Sequence, residues 1–144
     1  MAFSQEARVH PETGQTLIRG VRTVKLTFRS QSETVELPGW YPGDDPTADQ
    51  GIHDAKDLQV SDRAINAMKA RELGVMTPSE VRAARKKLRL TQRDAGRLIG
   101  GGPNAFQKYE SGDVVLSKAA DTALRLLSNN PERIREISGE VQMT

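Results

Sequence analysis

The spacing of apolar residues changes along this 144-residue chain from a period of two to a helical period, and this change constrains the fold more than any other feature. Apolar residues alternate with polar ones at Val24, Leu26 and Phe28, and again at Val35 and Leu37, which predicts an antiparallel hairpin with one buried face. In the second part of the chain, apolar residues recur at three- and four-residue spacings. The sequence therefore predicts an α+β protein in which a small hairpin domain precedes an all-helical one.

The N-terminal domain is predicted to span residues 1–73 and to include a linker helix at about 61–73. Between the hairpin and this helix, the segment PGWYPGDDPTADQG predicts turns or loops over residues 38–51. Such a domain buries only Trp40, Tyr41 and a few aliphatic residues, and a core of that size usually needs a cross-link or a partner. The chain has no cysteine, so neither a disulfide nor a thiolate zinc site can stabilise it.

Helix start and stop signals divide residues 77–138 of the predicted C-terminal domain, 74–144, into five short helices. Each start has a side chain or a proline suited to the first turn of a helix. The signals are the capping-box pattern Thr77, Pro78 and Glu80, then Thr91 with Asp94, then Pro103, Ser117 and Pro131.

Three consecutive glycines, Gly100 to Gly102, separate two of these helices, 91–99 and about 103–111. Glycine adopts backbone angles that other residues avoid, so the chain can turn sharply there. Two helices joined by such a turn form a helix-turn-helix, whose second helix enters the major groove of DNA. A phosphate-binding nucleotide loop is the alternative, but no strand precedes the glycines and no Gly-Lys-Ser/Thr follows them.

Basic residues are concentrated in the C-terminal half. Residues 1–70 contain 8 Lys/Arg and 10 Asp/Glu, whereas residues 71–144 contain 13 and 9, so the net charge changes from −2 to +4. A charge run of this kind is either a solvated helix face or a nucleic-acid contact. RNA is less favoured than duplex DNA because the aromatic platforms that bind single strands are missing.

The second helix of the predicted helix-turn-helix carries the side chains suited to reading bases. Asn and Gln pair with adenine, and Lys donates to guanine, so we predict that Asn104, Gln107 and Lys108 read bases. Taken singly, Asn104 and Lys108 would usually be solvated surface residues, and the surrounding frame of five helices is what favours base reading. The predicted phosphate contacts are Arg82, Arg85, Lys86, Lys87, Arg89, Thr91, Gln92, Arg93 and Ser111.

Residues 81–137 resemble the C-terminal DNA-binding domain of the MqsA-type antitoxins, within the broader Xre-like helix-turn-helix class. The resemblance rests on RKKLRLTQ, GGGPNAFQKYESG and LLSNNPE. It implies a homodimer that binds a palindromic operator in double-stranded DNA and represses its own toxin–antitoxin operon, while the N-terminal domain binds a toxin, a ribonuclease. The family reads bases through an Asn and usually an Arg four residues later. These positions are Asn104 and Lys108, and Lys lacks the planar fork of Arg.

The N-terminal half departs from this family, whose small zinc domain has paired cysteines before and after the hairpin. Here RVHPETG and GWYPGDDP occupy those places. His10, Asp44, Asp45 and His53 are conceivable replacement ligands, but such spacings are more typical of solvated polar residues. We therefore predict a metal-free, cofactor-free domain whose core is completed by the dimer or by the toxin.

Other classes of function fit less well. A stand-alone Xre-family regulator, with an N-terminal domain that does not bind a toxin, is the alternative reading. An enzyme is not predicted, because no nucleophile, paired carboxylate or metal spacing accompanies the two histidines. A cytoplasmic location without membrane contact is expected, since no apolar run approaches the roughly 20 residues of a membrane helix and the first residues lack a secretory signal.

Overall fold

The computed structural model describes residues 6–138, and their contacts define two units, one ending at Ile65 and the next beginning at Asn66. A three-stranded antiparallel sheet comes first and helices follow, which confirms the α+β class with an N-terminal sheet. No helix within residues 6–138 has the length and hydropathy needed to cross a bilayer.

The sheet contains strands β1 (Ala7–Val9), β2 (Thr16–Phe28) and β3 (Gln31–Pro42) in the order β1-β2-β3. Strands β2 and β3 form one long hairpin, in which Phe28 is opposite Gln31 and Leu17 is opposite Pro42. The prediction that loop begins at residue 38 is wrong, because β3 continues to Pro42. An edge strand tolerates prolines that lack an N–H, and Tyr41, paired with Ile18, is buried there.

Contacts of arginine side chains with Trp40 and Asp57 stabilise the N-terminal unit in addition to its few buried apolar residues. The guanidinium carbons of Arg8 and Arg19 lie 5.2 and 5.5 Å from the centre of the Trp40 ring, within the range of cation–π attraction. Arg19 also donates to Asp57, with Nη1 2.8 Å from Oδ2. This hydrogen bond lowers the pKa of Asp57 to about 2, although burial of the carboxylate acts in the opposite direction.

The helices are α1 (Ala55–Leu73), α2 (Pro78–Lys87), α3 (Gln92–Ile99), α4 (Ala105–Ser111), α5 (Lys118–Asn129) and α6 (Ile134–Ser138), with a 3₁₀ turn at Pro131–Arg133. Helix α1 begins six residues before the predicted start at 61, because its first turn is stabilised by the buried carboxylate of Asp57, which accepts from the amide of Asp54. The boundary between the contact units lies inside α1, whereas the predicted domain boundary follows its last residue.

The core of the C-terminal unit is apolar and continuous. It includes Phe106, which is fully buried, and the second half of α1 contributes Ala70. The other members come from α2 to α5 and the segments beside them: Val75, Met76, Val81, Ala84, Leu88, Leu90, Ala95, Leu116, Ala120, Leu124 and Leu127. Helices α3 and α4 pack against this cluster through Ala95 and Phe106.

Candidate nucleic-acid interface

Helix α3 is fixed at its start by a side-chain cap. Thr91 has extended backbone angles, and its Oγ1 accepts a hydrogen bond from the amide of Asp94 at 3.1 Å. The cap satisfies one N–H of the first turn and leaves the hydroxyl hydrogen of Thr91 available to a second partner. Ala95 and Gly96 are buried, so the helix is anchored on its inner face. Thr91 is exposed and Gln92 is half-buried at this end of the helix.

The turn after α3 requires glycine for two separate reasons. Gly100, Gly101 and Gly102 have φ angles of 126°, 94° and 89°, where any residue with a side chain is strained. Gly96 is needed for space, since a Cβ on it would lie 1.9 Å from the carbonyl oxygen of Gly102. The amide of Gly102 also donates to the carbonyl of Gly96 at 3.3 Å. The turn therefore packs directly against the backbone of α3.

Helix α4 is held to the core by its aromatic residues and presents its polar residues to solvent. Phe106 is fully buried and packs edge to face with Tyr109, with ring centres 5.4 Å apart. Asn104 immediately precedes the helix, and Asn104, Gln107 and Lys108 are all exposed. The three predicted base-reading residues therefore lie at the start of, and within the first turns of, one short, anchored helix.

Asn104 and Lys108 border one shallow depression. Its other lining residues are Gly101, Pro103, Ala105, Tyr109 and Val114. The side chain of Asn104 makes no capping hydrogen bond to α4, so its amide is not engaged in starting the helix. An amide offers a donor and an acceptor side by side, as the edge of adenine does, while an ammonium offers donors to guanine.

Exposed cations surround the two helices. Among the predicted phosphate contacts, the cations that are exposed are Arg82, Lys86, Lys87, Arg89 and Arg93. Arg89 lies between α2 and α3 with a φ of 58°, a left-handed conformation that only a few per cent of non-glycine residues adopt. Cations at such positions can contact the DNA backbone and displace its counterions.

Arg85 differs from the other predicted phosphate contacts because its guanidinium is already occupied. Its Nε and Nη2 donate to the two carboxylate oxygens of Glu110 at 2.8 and 3.0 Å, and Nη1 donates to the carbonyl of Leu90 at 2.9 Å. The two side chains are only 13% and 6% exposed. This bidentate pair joins α2 to α4, so we exclude Arg85 from the proposed phosphate contacts.

Ser111 is also turned toward the protein. It is half-buried, and its Oγ lies 3.1 Å from the carbonyl oxygen of Lys108 and 3.0 Å from Oδ2 of Asp113. A hydroxyl has a single hydrogen to donate. Both neighbours are acceptors at the end of α4, so we leave Ser111 out of the proposed DNA contacts as well.

The residues considered as replacement zinc ligands are separated and engaged elsewhere. His10 Nδ1 accepts from two amides of its own turn, and His53 Nδ1 lies 3.0 Å from the carbonyl oxygen of Pro38. Asp45 accepts from the turn that follows it, and Asp44 is exposed. Within residues 6–138 no group of three or more potential ligands is close enough to hold an ion. The donors do not fit the zinc that the family resemblance implies.

The comparison with known proteins identifies the class. A family model described as "Antitoxin component of bacterial toxin-antitoxin system, MqsA" matches residues 10–138, so the chain belongs to this antitoxin family. Among individual proteins, it is similar to Antitoxin MqsA of Escherichia coli (strain K12), with 28% identity over 123 residues, which cover 84% of this chain and 92% of that protein. These matches confirm the resemblance first seen in residues 81–137 and extend it across the N-terminal unit.

Membership in this family has two direct consequences. An antitoxin is one of the two proteins of a toxin–antitoxin system, so a toxin is the implied partner. The family also indicates a regulator rather than an enzyme.

Proposed function

We propose that this protein represses its own operon by binding a palindromic operator as a homodimer, and that it neutralises its partner toxin by direct binding. Helices α3 and α4 bind the DNA: Asn104, Gln107 and Lys108 read bases, and the exposed cations with Thr91 and Gln92 contact phosphates. The toxin, a ribonuclease, binds the N-terminal unit.

The observation that carries the DNA-binding proposal is the arrangement of α4. A helix of 7 residues cannot be stable by itself, yet this one is anchored through a fully buried Phe106 and an ion pair at Glu110. Its outward residues are amide and ammonium groups rather than the long acidic and basic mixture of an ordinary solvated helix. A rigid helix that presents hydrogen-bonding groups beside exposed cations has the properties that base reading in a major groove requires.

A half-buried apolar face of the hairpin supports a protein partner for the N-terminal unit. Val24 is opposite Val35 on one face of the hairpin, and Leu26 and Phe28 continue this face toward its tip. All four side chains are only half-buried. A face of this kind gains stability when a second protein covers it, which is the role that a toxin would have.

For the homodimer, we propose an apolar groove of about 280 Å³ in the C-terminal unit as the contact surface. Leu126 and Ile137 at its border are 58% and 46% exposed, and Leu98 and Ile99 line it from α3. A two-fold dimer requires a self-complementary surface, and this groove is carried by the same unit as α4. In sedimentation experiments, Leu126→Glu should produce monomers, whereas Thr122→Glu, an exposed position on α5, should not.

The experiment that tests the function uses the full-length chain. It is co-expressed with the gene adjacent to it, and it is incubated separately with a pool of random DNA duplexes. We expect co-purification of the adjacent gene product and enrichment of one palindrome. Asn104→Ala should relax the preference at one base pair of each half-site by about 1 to 3 kcal/mol, whereas Gln59→Ala on α1 should not.

Three outcomes are informative. Failure to enrich any sequence contradicts the repressor proposal. An enriched palindrome without a co-purified partner favours the stand-alone regulator. An enriched palindrome with an unchanged profile for Asn104→Ala removes that residue from base reading while leaving the rest of the proposal intact.

A further inference from the structure

Asn66 is placed to control the C-terminal end of helix α4, although it lies outside the predicted DNA-binding domain. Its Nδ2 donates to the carbonyl oxygen of Gly112 at 2.8 Å and lies 3.3 Å from that of Asp113. A primary amide carries two N–H groups, so a single side chain can serve both carbonyls. Asparagine is a poor residue for a helix interior, and Asn66 is inside α1, which indicates that its side chain has a specific use.

The two carbonyls that Asn66 binds belong to the turn at Gly112 and Asp113 that ends α4. Gly112 has a φ of 88°, and its amide donates to the carbonyl of Lys108. The amides of Asp113 and Val114 lie 3.0 and 3.3 Å from the same oxygen. These bonds fix the amides of the turn, and the carbonyl oxygens of Gly112 and Asp113 accept from Asn66.

The segment fixed by Asn66 leads directly to the base-reading face. Val114 lines the shallow depression that Asn104 and Lys108 border. Val114 also lines a cavity of about 10 Å³, together with Asn66, Tyr109 and Gly112. Val114 therefore connects the residues that Asn66 binds with the depression at the base-reading residues.

We propose that Asn66 is a positioning residue for base reading: by binding the carbonyls of Gly112 and Asp113, it sets the orientation of α4 and of Val114 relative to the DNA. It does not contact DNA itself. This inference rests on the proposed DNA-binding function. It adds a requirement that the helix-turn-helix alone does not contain, because α1 must be intact for α4 to discriminate between sequences.

The test compares full-length variants on two duplexes of equal length, the palindrome selected by the wild-type chain and a scrambled version of it. Asn66→Ala should lower the affinity for the palindrome by about ten-fold, since two hydrogen bonds that fix the reading surface are lost. Its affinity for the scrambled duplex, which depends on exposed cations, should stay within about two-fold. Asn66→Asp keeps the volume but replaces both donors with oxygen, so it should behave similarly. Gln59→Ala, which removes an exposed amide from α1, is the matched control.

Amide NMR spectra of Asn66→Gln keep the proposal testable if the alanine variant unfolds. The longer side chain retains the donors but displaces them, so we expect shifted signals at residues 112–116 and 104–108, with the remaining spectrum unchanged. Shifts confined to α1 would overturn the proposal. An unchanged affinity ratio, or an equal loss on both duplexes, would also overturn it while leaving the DNA-binding function standing. If the wild-type chain selects no sequence, both proposals are wrong.

Discussion

The two units of this chain build their cores by different means. In the C-terminal unit, 13 buried apolar residues form one cluster, to which the buried carboxylate of Asp121 and the pair of Arg85 with Glu110 add polar contacts. In the described part of the N-terminal unit, the buried apolar side chains are few, chiefly Leu17, Leu37 and Tyr41. Their place is taken by guanidinium groups stacked on Trp40 and Tyr41 and by an ion pair with a buried carboxylate.

This difference shows how a small sheet can be stabilised with little apolar volume. Stacked guanidinium groups cover an aromatic ring with their planar faces and keep their N–H groups free for hydrogen bonds. The cost is dependence on charge, because salt or the loss of one partner weakens such contacts and acid weakens the ion pair. The helical unit, in contrast, should respond chiefly to changes in side-chain volume.

The largest effect is expected from truncation of the helical core. Phe106→Ala removes a fully buried ring and should lower the free energy of unfolding by about 3 to 5 kcal/mol, measured by far-UV circular dichroism in urea. Phe28→Ala, a half-buried position near the hairpin tip, is the control and should cost about 1 kcal/mol or less. Equal losses would mean that the two units do not differ in their dependence on apolar volume.

The next largest loss of stability is expected in the N-terminal unit, from removal of the charge of Arg19. Arg19→Met leaves the carboxylate of Asp57, which is 3% exposed, without its partner. Arg19 itself is 35% exposed, so water compensates in part and the expected loss is about 1 to 3 kcal/mol. Trp40 is the single tryptophan, so its fluorescence reports unfolding of the N-terminal unit. Lys25→Met on the exposed face of β2 is the control, and a loss of similar size there would contradict the role of the pair.

Acid should weaken the N-terminal unit through the same carboxylate. The pKa of Asp57 is lowered from 3.8 to about 2, chiefly by the hydrogen bond from Arg19. A lowered pKa adds stability above the unfolded value and loses it as the pH falls through the folded value, so the loss is expected between about pH 4 and pH 2. It should amount to at most about 2 kcal/mol by Trp40 fluorescence. Asp57→Asn should be less stable at neutral pH and should lack this part of the pH dependence.

The smallest effect concerns a single cation in each unit. Lys86→Ala should reduce the slope of log affinity against log salt concentration by about 0.9, the value for one phosphate contact in duplex DNA. Lys25→Ala removes an exposed cation from the N-terminal unit and should leave the slope unchanged. Identical slopes for both variants would remove Lys86 from the DNA contact.

The helical unit was predictable from the sequence because its signals are local. Thr91 caps helix α3 through the amide of Asp94, which is only three positions away. The glycine triplet is recognisable by itself, because glycine is the residue that readily adopts the backbone angles of such a turn. Apolar residues at helical spacing likewise lie within a few positions of one another. Such features are visible in a short window of sequence.

The features that were missed join residues distant in the chain. Arg85 was predicted to contact phosphate, since nothing local indicates that Glu110, 25 positions away, takes its guanidinium. The pair of Arg19 and Asp57 spans 38 positions. Side-chain pairs of this kind become visible only when the fold brings them together, and they also determine which cations remain free for DNA.

The glycine turn affects how the recognised DNA sequence can change during evolution. Any amino-acid replacement at Gly96 or at Gly100 to Gly102 adds a side chain where the backbone angles or the available space disfavour one, so these positions tolerate no conservative exchange. Gln107 and Lys108, which are exposed, can be exchanged without disturbing the packing. We therefore expect descendants of this gene to diverge in the sequences they recognise while the bend that presents the recognition helix stays constant.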